Sequence, residues 1–215
     1  MFFNFTHNFQ FRTRLKLKDE TLETVTKTKL LGTILTSDLK WDENTNLIVK
    51  KSYARMQLLR KLSGFGAPIS DLKNVYITFI RSVCEQSSSV WNSGLTQQNE
   101  EDLERIQKVA LKIILKDQYR DYQNALNILN LQNLKERRKY LCLDFTIKYL
   151  KNKRMKFLFP PNDKNHEMMT IKAEHFKIFS FNTERMRNSP VIYMQHLFNN
   201  EVRKKLEERK IWKDS

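Results

Sequence analysis

The sequence has few of the residues that make turns or cross-links, and this scarcity limits the possible folds. Its 215 residues include four glycines, four prolines and two cysteines. So few glycines and prolines favour a helix-rich chain over a β-barrel or β-sandwich, because those folds need many turns. No stretch reaches the roughly 18 consecutive apolar residues of a membrane-spanning helix, and the start lacks the charged and then apolar plan of a signal peptide. We therefore expect an intracellular protein, nuclear or cytoplasmic, with no membrane partner.

The sequence also lacks recognisable catalytic, phosphate-binding and metal-binding motifs. Cys84 and Cys142 lie far apart in apolar surroundings and are expected to be buried free thiols in a reducing compartment. No histidine stands at zinc-ligand spacing with a cysteine, no two aspartates are adjacent, and no Gly-rich phosphate loop or Ser/His/Asp set can be assigned. We expect no catalytic residue, metal site or cofactor in this chain. Asp38, Asp42 and Glu43 could hold a divalent ion, but turn and capping roles explain them better.

Acidic residues are few relative to basic ones. Lys and Arg total 39 against 24 Asp and Glu, which gives a net charge of +15 at pH 7. With 40% hydrophobic residues the chain can still bury a core, so wholesale disorder is not expected. A balance this basic indicates an anionic partner, and nucleic acid is the commonest one.

Residues 103–116, LERIQKVALKIILK, divide into two stripes at helical spacing. The apolar stripe consists of Leu103, Ile106, Ala110 and Ile113. The second stripe, which we call the basic ladder, consists of Arg105, Lys108, Lys112 and Lys116. Thr96 is expected to cap this helix. A solvated surface is the ordinary explanation of one such ladder, but another segment repeats the arrangement.

That second segment is a predicted helix that Asp42 is expected to cap and that runs to about Leu62. At about 100° per residue, its apolar arc consists of Ile48, Val49, Tyr53, Met56 and Leu59, and its basic arc of Lys50, Lys51, Arg55 and Lys61. No acidic residue lies between Leu47 and Leu62, so the basic arc lacks partners on its own helix.

The pattern predicts a mainly α protein, a helical bundle preceded by a small β-hairpin region. Residues 1–40 form a strand-rich region in which Gly32 indicates a bulge or a close backbone approach. Residues 41–158 form the helical bundle, with Leu134, Leu141 and Phe145 on one face of a late helix. Residues 159–175 are expected to be a linker, and 176–215 a C-terminal segment with a terminal helix.

Several motifs in order resemble one protein family. KLLGTILTSDLKWDENTNL, LERIQKVALKIIL, LNLQNLKERRKYLCLDF and SPVIYMQHLFNN are together similar to the region after the catalytic core of reverse transcriptases from non-LTR (LINE-like, jockey-related) retrotransposons. The resemblance covers roughly residues 12–200. It departs from the family at Leu30-Leu31, where Tyr often precedes Leu-Gly, and at Asn44, where His is common.

This resemblance implies that residues 1–40 correspond to the end of the palm and the primer-grip region, and 41–158 to the thumb and the helices after it. The palm carboxylates that hold two Mg²⁺ ions would lie upstream, so no polymerase activity is expected from this chain alone. The implied partner is an RNA–DNA or DNA duplex, and the missing palm is a second one.

Two functions are open at this point. The first is a thumb-like fragment of an RNA-directed DNA polymerase that holds template–primer by its phosphates. Its cations would be Lys50, Lys51, Arg55, Lys61, Arg105, Lys108 and Lys112. The alternative is a non-catalytic helical interaction or structural protein, from a domesticated or decaying element, whose basic faces have no duplex to bind.

Overall fold

A computed structural model of the protein describes residues 16–18, 20–21, 23–150, 158–160, 176, 178 and 183–211. Within these residues the protein is mainly α-helical, and short antiparallel hairpins precede the first helix. The fold class predicted from the sequence is therefore confirmed. None of the helices described is both long enough and apolar enough to span a membrane.

In chain order, the helical elements are α1 (Asp42–Gly64), α2 (Ile69–Val75), a π-helical segment (Tyr76–Arg81), α3 (Ser82–Glu85), α4 (Ser88–Trp91), a 3₁₀ turn (Asn92–Gly94), α5 (Gln97–Leu115), a second 3₁₀ turn (Lys116–Gln118), α6 (Tyr122–Leu129), α7 (Leu134–Leu150), α8 (Glu184–Arg187) and α9 (Pro190–Ile211).

The chain packs into two compact units. The first unit holds the residues up to Cys84 together with Leu95–Ala125, and the second holds Glu85–Gly94 together with the residues from Leu126 onward. The boundaries predicted at residues 40, 158 and 175 stay a prediction, since 151–157 and most of 161–182 lie outside the described residues.

Two hairpins make up the strand region. β1 (Lys16–Leu17) pairs with β2 (Glu20–Thr21), and β3 (Lys27–Leu30) pairs with β4 (Thr33–Thr36). Leu31 and Gly32 join β3 to β4 with φ of 48° and 88°. Two successive positive φ values are typical of a type I′ hairpin turn. Gly32 is therefore a turn residue, and its prediction as a bulge or close approach within a strand was wrong.

The second hairpin packs against the start of α1. The backbone N–H of Ile34 donates to Asn44 Oδ1 at 3.1 Å, and Lys27 forms an ion pair with Glu43 at 3.6 Å. Thr33 is buried at this contact. An isolated two-stranded hairpin is marginally stable in water, so this packing on α1 supplies the support that the strands themselves lack.

α1 and α5 form the centre of the first unit and run parallel to each other. At their N-terminal ends, Asn99 Nδ2 donates to Asp42 Oδ1 at 2.8 Å. At their C-terminal ends, Ser63 Oγ donates to the carbonyl oxygen of Ile113 at 3.0 Å. Contacts at both pairs of like ends require a parallel arrangement along the length over which the helices pack.

The predicted cap of α5 is confirmed and that of α1 is wrong. Thr96 Oγ1 accepts from the backbone N–H of Asn99 at 3.2 Å. Trp41, rather than Asp42, occupies the N-cap position of α1, and it makes no side-chain cap hydrogen bond. Asp42 lies in the first turn, where a carboxylate favours the helix dipole, and its side chain bonds to Asn99.

The second unit is built on α7, whose buried face differs from the predicted one. Leu134, Arg138, Cys142 and Thr146 are buried at a constant spacing of four residues, whereas Leu141 and Phe145 are half-buried. Cys142 packs with Phe159, Phe176 and Met194 in an apolar cluster. Both cysteines are free and buried, as predicted.

Candidate nucleic-acid interface

The outward face of α1 carries two exposed lysines. Asn44, Thr45, Ile48, Ser52, Met56, Leu59 and Ser63 are the buried residues of this helix. Lys50 and Lys61 lie opposite the middle of that buried arc, at about 100° per residue, and both are exposed. They are 11 positions apart in the sequence, so their backbones are separated by about 16 Å along the axis. Within the described residues no carboxylate pairs with either of them.

The remaining two cations of the predicted basic arc lie on the side of the buried face, Lys51 at its edge and Arg55 within it. Lys51 and Arg55 are half-buried. Arg55 Nη1 donates to the carbonyl oxygen of Phe79 at 2.5 Å, and its guanidinium lies 4.5 Å from the centre of the Phe79 ring. Arg55 therefore joins α1 to the π-helical segment. The prediction that Arg55 lies opposite the apolar arc was therefore wrong, and its phosphate contact stays a prediction.

All members of the basic ladder on α5 are exposed. Arg105 pairs with Asp102 on the same helix at 3.0 Å, a surface ion pair of the kind that contributes little to stability. Lys108 Nζ lies 5.3 Å from the centre of the Tyr122 ring, and Lys112 Nζ lies 5.4 Å from that of Tyr119. Such cation–π contacts are worth roughly 0.5–1 kcal/mol at exposed sites. They hold both lysines over aromatic faces while their charges stay at the surface.

The buried face of α5 is broader than the predicted apolar stripe. Leu103, Ile106 and Ala110 are buried as predicted, and Gln107, Leu111, Ile114 and Leu115 are buried as well. Ile113 is only half-buried. Arg105, Lys112 and Lys116 lie opposite the middle of this wide face and are directed away from the core of the unit, whereas Lys108 lies beside the edge of the face.

A buried hydrogen-bond chain fixes the support beneath the ladder. Tyr76 Oη donates to Gln107 Oε1 at 2.6 Å, Gln107 Nε2 donates to Tyr122 Oη at 3.0 Å, and Tyr122 Oη donates to Glu104 Oε1. Burial raises the pKa of both tyrosines, and for Tyr122 the Glu104 carboxylate raises the pKa further. The two hydroxyls therefore stay protonated, and the ring beneath Lys108 is neutral and held in place.

At their C-terminal ends α1 and α5 present further cations. Lys116 Nζ donates to the carbonyl oxygen of Ser63 at 2.6 Å, which places this ammonium group against the last turn of α1. Lys61 lies in that same turn. Cations near helix C-termini interact favourably with the helix dipole, so part of this clustering serves helix stability.

The three carboxylates considered as a metal site have separate partners. Asp38 accepts from the backbone N–H of Lys40 at 3.2 Å, and a hydrogen bond from Thr36 is the main cause that lowers the pKa of Asp38. Asp42 bonds to Asn99, and Glu43 pairs with Lys27. Among the described residues there is no group of three or more His, Cys, Asp or Glu side chains placed to hold a metal ion.

The structure brings all seven predicted cations into one unit, on two helices that pack side by side. Five of them are exposed, namely Lys50, Lys61, Arg105, Lys108 and Lys112, which we call the outward cations. Sequence reasoning missed the tyrosines beneath the ladder and the role of Arg55, because both depend on which segments pack together. The molecule described is thus a mainly α protein with basic faces on two parallel helices.

Comparison of this chain with protein-family models, with curated proteins and with solved structures gave no match in any of the three.

Proposed function

We propose that this chain belongs to a reverse transcriptase of the non-LTR retrotransposon type and contributes a thumb-like unit that holds a template–primer duplex. The proposal rests on the sequence resemblance, and the outward cations on α1 and α5 are the structural observation that supports it. The duplex would be RNA–DNA or DNA, held by its phosphates.

The chemistry of the outward cations fits phosphate contacts better than base readout. Four of the five are lysines, which offer a mobile point charge and three donors, and suit phosphate oxygens at varied positions. On the outward arc of Lys50 and Lys61 the amide side chains that could read base edges in a duplex groove are limited to Asn46 and Gln57. Binding would therefore position the duplex without selecting its sequence.

The competing function is a helical interaction or structural protein. This alternative is supported by the contacts that the ladder cations make within the protein. Arg105 pairs with Asp102, and Lys108 and Lys112 lie over tyrosine rings. Cations in the last turn of α5 also complement its dipole. Lys50 and Lys61 weigh against it, because neither has a carboxylate partner among the described residues and neither is needed to bury the apolar face of α1.

The test replaces three outward cations and measures binding to a B-form DNA duplex over a range of salt concentrations. The variant carries Lys50→Gln, Lys61→Gln and Lys112→Gln. Each phosphate contact contributes about 0.9 to the slope of log affinity against log salt. We expect the slope to fall by roughly two to three and the affinity to weaken similarly for unrelated sequences.

The matched control removes the same charge from lysines that are paired with carboxylates. It carries Lys40→Gln, Lys139→Gln and Lys148→Gln, whose partners are Asp38, Glu136 and Asp144 at 3.8, 2.8 and 2.7 Å. We expect a smaller change in slope from this control. Equal changes in the two variants would mean that binding follows net charge alone, and an unchanged slope in the first would favour the structural protein.

The family assignment has an independent test in the genome. A reading frame immediately upstream that encodes a polymerase palm with its paired aspartates, in frame with this chain, supports it. An unrelated upstream sequence in every genomic copy would contradict the assignment, although the binding proposal would still be tested by the salt series.

A further inference from the structure

Phe65 is exposed to an unusual degree for a residue in an ordered turn. Its relative accessibility is 86%, yet the backbone around it is held by hydrogen bonds. The N–H of Phe65 donates to the carbonyl oxygen of Lys61 at 3.0 Å, that of Gly66 to Ser63 at 3.2 Å, and that of Ala67 to Leu62 at 3.1 Å. The turn at the end of α1 thus presents the ring on a fixed support.

The space at the two glycines that flank Phe65 is open. A Cβ atom added at Gly64 or at Gly66 would meet no other heavy atom within 4 Å. Gly66 has φ of +80°, a conformation that side chains disfavour, so it gives the chain its sharp change of direction after Phe65. Together with the 86% exposure of Phe65, this leaves the ring accessible to a flat ligand.

Three cations belong to the same end of α1 as this exposed ring. Lys61 is one helical turn before it, and its carbonyl group accepts the N–H of Phe65. Lys116 Nζ bonds to the carbonyl oxygen of Ser63, two residues before Phe65, and Arg60 is exposed in the same turn of α1. An aromatic ring among cations fits a ligand that has both a flat π face and negative charge, and an unpaired nucleotide has both.

We propose that Phe65 stacks on an unpaired base next to the duplex, while Lys61 and Lys116 contact the adjacent phosphates. This inference rests on the proposed function, because it assumes that a nucleic acid lies along α1 and α5. Bases within a duplex have both faces covered by their neighbours, so the ring can stack only on a base at an end, in an overhang or in a gap. Aromatic stacking on single strands tolerates any base, since every base has a π face.

The test uses the full chain, a blunt DNA duplex and the same duplex with a short single-stranded overhang that contains a fluorescent base analogue. We expect Phe65→Ala to weaken binding of the overhang substrate by about 5- to 150-fold, with little effect on the blunt duplex. The salt slope should stay the same because no phosphate contact is lost. Phe65→Trp should retain the affinity and the change in fluorescence on stacking, whereas Phe65→Leu should lose that change.

Met186→Ala is the matched control, because Met186 is also an exposed apolar side chain but belongs to α8 of the second unit, outside the predicted primer-grip and thumb regions. This variant should leave binding to both substrates unchanged. If unmodified protein binds neither substrate, the proposed function fails and this inference with it. If it binds both but Phe65→Ala changes neither affinity, or weakens both equally, the stacking of Phe65 is wrong and the phosphate-binding function stands.

Discussion

Burial separates the seven predicted cations into two groups with different consequences. The outward cations can be replaced at little cost in folding, because exposed side chains away from caps and networks usually contribute within about 0.5 kcal/mol. Arg55 differs, since its guanidinium bonds to the Phe79 carbonyl group and covers the Phe79 ring. Its side chain is a structural link between α1 and the π-helical segment.

Replacing Arg55 should therefore lower stability where replacing Lys50 does not. We expect Arg55→Gln to reduce the free energy of unfolding by about 1–2 kcal/mol, the lower part of the range for a hydrogen bond from a charged donor, because this bond is exposed to solvent. Lys50→Gln should change it by less than about 0.5 kcal/mol. Urea unfolding followed by circular dichroism measures both, and equal stabilities would contradict the structural role of Arg55.

Cys142 makes stability depend on pH in the alkaline range. Burial raises the pKa of its thiol to about 12, against an opposing effect of Arg138, from an ordinary value of 9.0. Between these pH values the unfolded chain loses the thiol proton and the folded chain keeps it. The folded state then binds more protons, so its stability falls as the pH rises.

We expect this thiol to lower the free energy of unfolding by about 1.4 kcal/mol per pH unit between about pH 9 and pH 12. Tyr76 and Tyr122, whose pKa values are also raised, act in the same direction near the top of the range. Urea titrations at several pH values measure the total. Cys142→Ser removes the contribution of the thiol alone, and an unchanged pH slope in that variant would show that the thiol does not titrate as described.

At the scale of the elements, α1 and α5 were predictable because local signals agree. Apolar residues recur in both segments with a period of 3.6, and neither segment contains Gly or Pro before Ser63 or Leu115. Thr96 adds a capping signal before α5. All of these features indicate helix. The predicted end of α1 near Leu62 is close to the observed Gly64. These signals come from neighbouring residues in the sequence and need no knowledge of the rest of the fold.

The buried face of α7 could not be predicted, because the residues that pack against it are distant in the sequence. The apolar pattern of α7 indicated Leu134, Leu141 and Phe145, yet Arg138 is fully buried. Arg138 Nε donates to Asn92 Oδ1 at 2.9 Å, and the guanidinium lies 5.9 Å from the centre of the Trp91 ring. An arginine is buried only where such partners exist, and these partners belong to a segment more than 40 residues earlier.

The Thr96 cap gives a prediction at this scale. Thr96→Ala leaves the N–H of Asn99 without its side-chain acceptor and should lower the free energy of unfolding by about 1 kcal/mol. Thr96→Ser keeps a hydroxyl in place and should retain most of the stability. Thermal or urea unfolding of the two variants measures the difference, and equal losses would mean that the methyl group, rather than the cap, is the stabilising feature.

For the whole molecule, the net charge of +15 is not by itself evidence of a binding face. The structure adds the positions of these charges. In the first unit, Lys50 and Lys61 of α1 and the basic ladder lie on the side away from the core. Lys139 and Lys148 of the second unit are paired with acids on their own helix, as Arg105 is in the first unit, whereas Lys50 and Lys61 have no such partner among the described residues. The direction of the outward cations could be predicted from helical periodicity, but the pairing of α1 with α5 could not, because it depends on long-range contacts.

The most direct test of the account is the affinity of the unmodified chain for a B-form DNA duplex over a range of salt concentrations. If all five outward cations contact phosphates, log affinity should fall linearly with log salt with a slope of up to about 4.5 in magnitude, at about 0.9 per contact. The affinity should be similar for duplexes of unrelated sequence. A salt-independent affinity, or no binding at low salt by a folded protein, would contradict the proposal that these helices hold a nucleic-acid duplex.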